Sequence, residues 1–328
     1  MDTSSLCFMK RDSRKKTDEL VISSPARLHL GFFGIEKTYG YSYGSMGLAI
    51  NRYKTLIKIS KTNRPQSNIS KKYLEPLEKY LNSIGKKCKM KIILENEMKK
   101  HVGLGSGTQT ALCLGKGVSK LLGLNLNTEK IVKIFNRGLR SGTGIGIFEK
   151  GGFIVDTCKK TNQQPQILLR KKFPSNWKIV LLSDKTLKGV SGDREKEFFR
   201  SKKILKSISS ELSEVVLRGI IPSIIYKDFL CFAKNISLFQ KLTVEFYKKK
   251  QKDLFVSNEI SRVVKYISKS KTLGIGQSSW GPFSYIFTES LPSAKEVIKI
   301  INTKFSMYNN LTYEIASARN SGYKIKNI

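Results

Sequence analysis

The chain has 328 residues, 40% of them hydrophobic, and 60 Lys and Arg against 25 Asp and Glu give a formal net charge of +35. That apolar content excludes wholesale disorder, and the length suggests two domains. No apolar run is long enough to cross a bilayer. The five cysteines are odd in number and scattered without a C-x-x-C, which excludes a disulfide frame or a cysteine zinc site and points to a reducing compartment.

Residues 1–20 read as a flexible tail, because the apolar patch around Cys7 is too short for a signal-peptide core; a cytoplasmic location is expected. Residues 20–34 and 47–60 alternate like strands, and 61–72 are polar with a proline, so a loop is expected there. Leu74, Leu77 and Leu81 set a helix over 73–84, and 88–95 alternate like a half-buried strand. A glycine loop at 101–107 precedes a helix to Leu122, and a second helix runs from a Thr128 cap to Arg137. Residues 151–157 read as a strand and 177–184 as a buried one, with a polar, proline-containing stretch between them. The domain boundary is expected near 175, giving domains 21–175 and 176–328. Helices follow over 194–209 and on to about 268. Then come a glycine turn at 274–281, the strand FSYIFTE, a helix after Pro292 and a last strand, NLTYEIA. Hairpins in the first half with strands separated by helices argue an α+β fold.

Four stretches carry chemistry. In GLGSGTQ, glycines at 103, 105 and 107 let backbone N–H groups converge on an anion at a helix N-terminus. A tight connection needing glycine only for its backbone angles is the competing reading. No Lys-Ser or Lys-Thr follows the last glycine, so this is not a Walker loop. The stretch RGLRSGTGIGIFEKGGFIVD places Arg137, Arg140, Ser141 and Thr143 where guanidiniums and hydroxyls suit phosphate, or where they form a solvated turn. In GIGQSSWGPFSYIF, Trp280 lies among Gln277, Ser278 and Ser279, which suits a flat ring or a Trp packing its own hairpin. PARLHLGF puts Arg27 and His29 on one face of a strand. The charge attracts anions generally; solvated lysine faces explain it better than a nucleic-acid groove.

Taken together, PARLHLGFFG, GLGSGTQTAL and GIGQSSWGPFSYIF resemble the three motifs of the GHMP kinase superfamily. Within it, SGTGIGIFEKGGFIVD, GVSGDREKEFF and GQSSWGP resemble the β-ribofuranosylaminobenzene 5'-phosphate synthase family. The resemblance implies a GHMP-type fold, a domain like the second domain of ribosomal protein S5 followed by a ferredoxin-like domain. It implies a pentosyltransferase that joins 5-phosphoribosyl 1-diphosphate (PRPP) to 4-aminobenzoate or 4-hydroxybenzoate with loss of CO2 and pyrophosphate, a step toward methanopterin-type carriers. Mg²⁺ would accompany PRPP, and no redox cofactor is needed. Gly103, Leu104, Gly105, Ser106, Gly107, Thr108 and Gln109 are expected at a phosphate, with Arg137, Arg140, Ser141 and Thr143 completing the anion pocket. Arg27 and His29 would act near the anomeric carbon, and Gln277, Ser278, Ser279 and Trp280 would face the arene. The expected partners are these substrates, weakly and non-specifically bound nucleic acid, no membrane, and a second copy in a homodimer. An ATP-dependent GHMP kinase and a non-catalytic RNA-binding protein are the alternatives. Against the kinase, Gly144 follows Ser141-Gly142-Thr143 where superfamily kinases often carry an Asp. The family's GRVDGG-like stretch is also replaced here by GYSYGSMG.

Overall fold

The protein's structure, a computed structural model, describes residues 19–34, 37, 39–96, 103–161, 163–187, 206–247, 253–279 and 281–328. The first sheet takes strands β1 (Glu19–Phe32), β2 (Ser45–Lys61), β3 (Gln66–Ser67), β4 (Met90–Asn96), β5 (Phe153–Asp156) and β6 (Ile167–Lys171), and also the chain's last strand, β11 (Lys324–Asn327). Its main path is β11-β1-β2-β4-β3, and β5 joins the other half of β2 and pairs with β6. The second sheet has the order β10-β7-β9-β8, from β7 (Lys178–Asp184), β8 (Gly274–Gln277), β9 (Ser284–Thr288) and β10 (Leu311–Ser317). The helices are α1 (Lys71–Ser83), α2 (Ser106–Leu122), α3 (Thr128–Ile134), α4 (Thr143–Lys150), α5 (Lys206–Glu214), α6 (Ile221–Tyr226), α7 (Phe229–Tyr247), α8 (Asn258–Ile267) and α9 (Leu291–Lys304); a π-helical turn at Val215–Ile220 links α5 to α6. The expected α+β, two-sheet architecture is what the chain adopts.

The cores explain the layers. Leu20, Ile22, Ile57 and Ile59 pack with α1, α2 and α3 on one side of the first sheet. Leu28, Leu30, Met46 and Leu48 instead share a core with Ile179, Leu181, Tyr285 and Phe287 of the second sheet and with Phe232 and Phe239 of α7. Alternate residues of the second sheet, Val180, Leu182 and Ile286, face the opposite way onto α8 and α9. In β1 the even-numbered side chains thus change core partway along. The cause is an irregular register between Ser24 and Ala26, beyond which the opposite face meets α2 and α4. That switch turns Arg27 and His29 toward the helix N-termini.

Short strands β3 and β6 lie where a loop and a polar connection are expected, and three further elements differ from the expectation. Residues 143–150 form a helix despite Gly144 and Gly146, and a Cβ at Gly146 would come within 3.0 Å of Ile154 and 2.9 Å of Ile167. Small residues are what let this helix lie on the sheet. Asn127, not Thr128, caps α3, its side chain accepting the Lys130 N–H at 2.8 Å. This helix stops at Ile134, and Asn136 takes a positive φ of 52°, which swings Arg137 out of the helix. The third difference is β11, which returns to pair with Leu20–Ser23 of β1. A single cut near 175 therefore does not separate the layers, since the C-terminal segment belongs to the first sheet. The expected tail, except for Glu19 and Leu20, and most of the 194–209 helix lie outside the described residues.

Candidate active site

Four separate segments converge on one cleft of about 600 Å³, lined by Arg27, His29, Phe32, Thr108, Arg137, Arg140, Ser141 and Ser279 together with residues 135, 136, 138 and 139. Three guanidiniums line it, and no carboxylate appears among its described lining residues. A hollow of this composition favours polyanions.

The phosphate loop sits at its edge. Gly103 and Gly105 have φ of +83° and +74°, conformations that L side chains rarely adopt. Space is short as well: a Cβ on Gly103 would meet the Ser278 carbonyl oxygen at 2.2 Å, and one on Gly105 the Arg27 Nε at 3.1 Å. The Gly105 carbonyl accepts the N–H groups of Thr108 and Gln109, both at 3.2 Å. The preceding N–H groups, of Ser106 and Gly107, are the ones that a helix start leaves for an anion. Thr108 reaches the cleft wall, and a Cβ at Gly107 would come within 3.6 Å of the Arg137 guanidinium. Leu104 and Gln109, both expected at the phosphate, point elsewhere. Leu104 is core, and its carbonyl accepts the Arg27 N–H. Gln109 is fully buried, and its amide donates to the Gly144 carbonyl at 2.9 Å, tying α2 to the start of α4.

Arg27 donates to Thr143 Oγ1 at 3.3 Å, which holds the guanidinium across the start of α4. The Arg137 guanidinium stands 5.5 Å from the Tyr73 ring centroid, within cation–π range. His29 is almost fully buried, its ring 4.6 Å from that of Phe32, and Nε2 has no hydrogen-bond partner among the described residues. Burial, and then the charges of Arg27 and Arg140, hold its pKa well below the usual histidine range. At neutral pH it is therefore an uncharged imidazole with a nitrogen to offer.

The second-domain turn is stitched to this wall. Ser278 Oγ accepts the His29 N–H at 2.9 Å and donates to the Gly103 carbonyl at 2.7 Å, and Ser279 N–H donates to the His29 carbonyl. Ser278 thus locks the phosphate loop to β1 with no hydroxyl hydrogen left for an arene. Gln277 Oε1 accepts the Val256 N–H, and its own N–H donates to Gln240. Of the arene-facing set, Ser279 alone lines the cleft; Trp280 lies outside the described residues.

Beneath the turn at 141–143 lies a group that the motifs did not single out. Asp156 is fully buried and accepts the Ser45 and Gly142 N–H groups, both at 2.5 Å, and meets the Ser45 hydroxyl at 2.8 Å. The legible clue was a carboxylate ending the apolar strand FIVD. Among the described residues no three His, Cys, Asp or Glu gather as a metal site. The described lining of the cleft, guanidiniums, an imidazole and hydroxyls without a carboxylate, does not suit a resident Mg²⁺.

Residues 68–149, the stretch holding the loop, match the family described as GHMP kinases N terminal domain. The whole chain shares the fold of homoserine kinase from Cytophaga hutchinsonii, with TM-score 0.66 and 13% identity over 98% of this chain and 100% of that one. Mevalonate-3-kinase from Thermoplasma acidophilum gives TM-score 0.69 and 11% identity over 94% and 99%. The chain thus has a two-domain GHMP-type fold. Along most of its length the chain is a relative of enzymes named beta-ribofuranosylphenol 5'-phosphate synthase. It is 26% identical to that of Methanothermobacter thermautotrophicus over 84% of this chain and 90% of the relative. The figures for the Methanocaldococcus jannaschii protein are 27%, 93% and 100%. The family resemblance read from the motifs is borne out, with phenol in the relatives' name where the resemblance names aminobenzene.

Proposed function

We propose that the protein is a decarboxylating phosphoribosyltransferase that joins PRPP to 4-hydroxybenzoate, or to 4-aminobenzoate, and releases CO2 and pyrophosphate. The observation that carries this reading is the cleft, three guanidiniums and a helix N-terminus with no carboxylate on its described wall, in a chain whose relatives are named as synthases of a ribofuranosylphenol 5'-phosphate. The relatives' phenol favours 4-hydroxybenzoate as the arene.

The chemistry suits this wall. As pyrophosphate leaves, negative charge grows on the departing oxygens and positive charge on C1 of the ribose. Arg27, Arg137, Arg140 and the α2 N–H groups stabilise the first in a site already built for it. A cationic imidazole would oppose the second; His29, held neutral, does not. Its Nε2 accepts or donates one hydrogen bond to a substrate hydroxyl. The arene attacks through the carbon that bears its carboxylate, driven by electrons from the para oxygen. Loss of CO2 then restores the aromatic ring, so the reaction needs no redox cofactor.

An ATP-dependent kinase is the second reading, favoured by the kinases that share the fold. Against it, Ser141-Gly142-Thr143 carries no following carboxylate, and Asp156 beneath that turn is buried and engaged by backbone donors. Incubating the full chain with PRPP, Mg²⁺ and carboxyl-labelled 4-hydroxybenzoate should release labelled CO2 and pyrophosphate together. ADP formation from ATP and a small alcohol, with no CO2 from the first mixture, would replace the synthase by the kinase.

A further inference from the structure

A second, far smaller hollow adjoins the cleft on its His29 side. It measures about 20 Å³, and His29, Phe32 and Ser279 line both spaces. These three residues make the neck between them. Beyond the neck the crevice is walled chiefly by Gln240, Thr243 and Val244 of α7 and by Gln277 at the end of β8. A water needs roughly 10–15 Å³ of such volume, so the crevice admits about one heavy atom. Close packing keeps it small. β1 meets α7 at Gly31, where φ is +130° and a Cβ would stand 2.5 Å from the Phe239 ring.

The polar groups of this wall are fixed in place. Gln240 Nε2 donates to the Leu30 carbonyl at 2.6 Å, and its Oε1 accepts the Gln277 N–H at 3.0 Å, so the amide cannot turn over. Thr243 Oγ1 gives its one hydrogen to the Phe239 carbonyl at 2.8 Å and has only lone pairs left to offer. We propose that this crevice is the subsite for the para substituent of the arene, with Thr243 as the acceptor of its hydrogen and Val244 as the limit on its size.

Charge sets the direction of the ring. A 4-hydroxybenzoate carries its negative charge at one end and a neutral O–H at the other. The cleft offers three guanidiniums, whereas no charged side chain stands among the described lining of the crevice, since His29 is neutral. The carboxylate therefore points back to the arginines, where the leaving pyrophosphate exposes C1 of the ribose. The ring lies at the neck beside Phe32, whose own ring is 4.6 Å from His29 and tilted by 52°. With its hydrogen drawn to Thr243, the para oxygen feeds more electron density to the carbon that bears the carboxylate. That is the carbon that must attack.

The proposal rests on the synthase reading and gives the arene its place within it. Carboxyl-labelled 4-hydroxybenzoate, 4-aminobenzoate and 4-methoxybenzoate are compared at saturating PRPP and Mg²⁺, with the full-length wild type, Thr243→Val and Val244→Ala. A methoxyl feeds electrons to the ring much as a hydroxyl does, but it has no hydrogen to donate and one more carbon to house. Wild type should release labelled CO2 from the first two and roughly a hundredfold more slowly from the third. Val244→Ala removes two methyl groups from the wall, so it should recover roughly tenfold of that loss. Thr243→Val keeps the shape without the lone pairs. Its kcat/KM for 4-hydroxybenzoate should fall roughly fivefold to tenfold, while its KM for PRPP stays at the wild-type value. Equal wild-type rates with hydroxyl and methoxyl arenes would overturn the subsite and leave the synthase standing. So would a methoxyl arene that Val244→Ala does not rescue, or a Thr243→Val that weakens PRPP as much as the arene. No labelled CO2 from 4-hydroxybenzoate in wild type overturns the synthase reading and the subsite with it.

Discussion

At the scale of residues, the site is made by partnerships that a linear motif does not contain. Arg27 and His29 were legible as one face of a strand, and the glycines as a helix-start loop. The pairing of Ser278 with both His29 and Gly103 was not, because it joins residues more than 170 positions apart. Asp156 was missed for the same reason: its partners come from β2 and from a turn, and a lone carboxylate at a strand end reads as a polar terminus. His29 gives a test at this scale. Its pKa is depressed in the folded protein, so the unfolded chain binds a proton first as pH falls. The stability that neutral His29 allows is fully present above about pH 6.5, the unfolded value, and is lost progressively below it. Wild type should therefore lose melting temperature on acidification below pH 6.5 more steeply than His29→Gln, which has no proton to take up. Parallel curves for the two proteins would show that this imidazole is not held neutral by the fold.

Among elements, the apolar pattern identified those whose apolar residues are regularly spaced or form an unbroken run. β1, β2, α1, α2, β7 and α9 fall in this class, within a few residues at their ends. The misses have physical causes. α4 contains two glycines, each costing about 1 kcal/mol of helix propensity, and at Gly146 the sheet leaves no room for a larger side chain. β6 and β11 are short and lysine-bearing, and gain strand form only from a neighbour already in place. β11 is the more consequential. The segment leading into it threads through the first domain: Arg319 N–H donates to the Ala49 carbonyl, Asn320 bonds Phe173 through both amide atoms, and Tyr323 stacks on Phe148 at 4.4 Å. Four residues of β11 then pair with β1 just upstream of Arg27. Tyr323→Ala should cost about 1–3 kcal/mol, from lost burial and ring stacking, and lower the melting temperature without changing cleft residues. Truncation after Ser317 should cost more, since it also uncovers the edge of β1. If truncated and full-length chains melt alike, the returning strand is not part of the first domain's stability.

For the whole molecule, the dominant quantity is a formal charge of +35. Its placement decides what it does. The cleft uses three arginines, a small share of the total, while lysines lie along α1, β4, α9 and the C-terminal strand. The ion pairs found among the described residues are mostly well exposed, as between Lys133 and Glu129 or Arg218 and Glu214, and such pairs contribute little. Charge spread in this way attracts any polyanion through counterion release but offers no arrangement of groups for reading bases. The chain should therefore bind single- and double-stranded nucleic acid weakly at physiological salt. Its affinity should fall steeply as salt rises and differ little between sequences. PRPP binding should fall less steeply with salt, because a cleft binds one small anion with few counterions to release. Titrating both ligands from about 50 to 200 mM salt separates the two modes by slope. A nucleic-acid complex that holds one sequence tightly at the upper salt, with PRPP failing to bind, would instead mark the protein as an RNA-binding member of its fold.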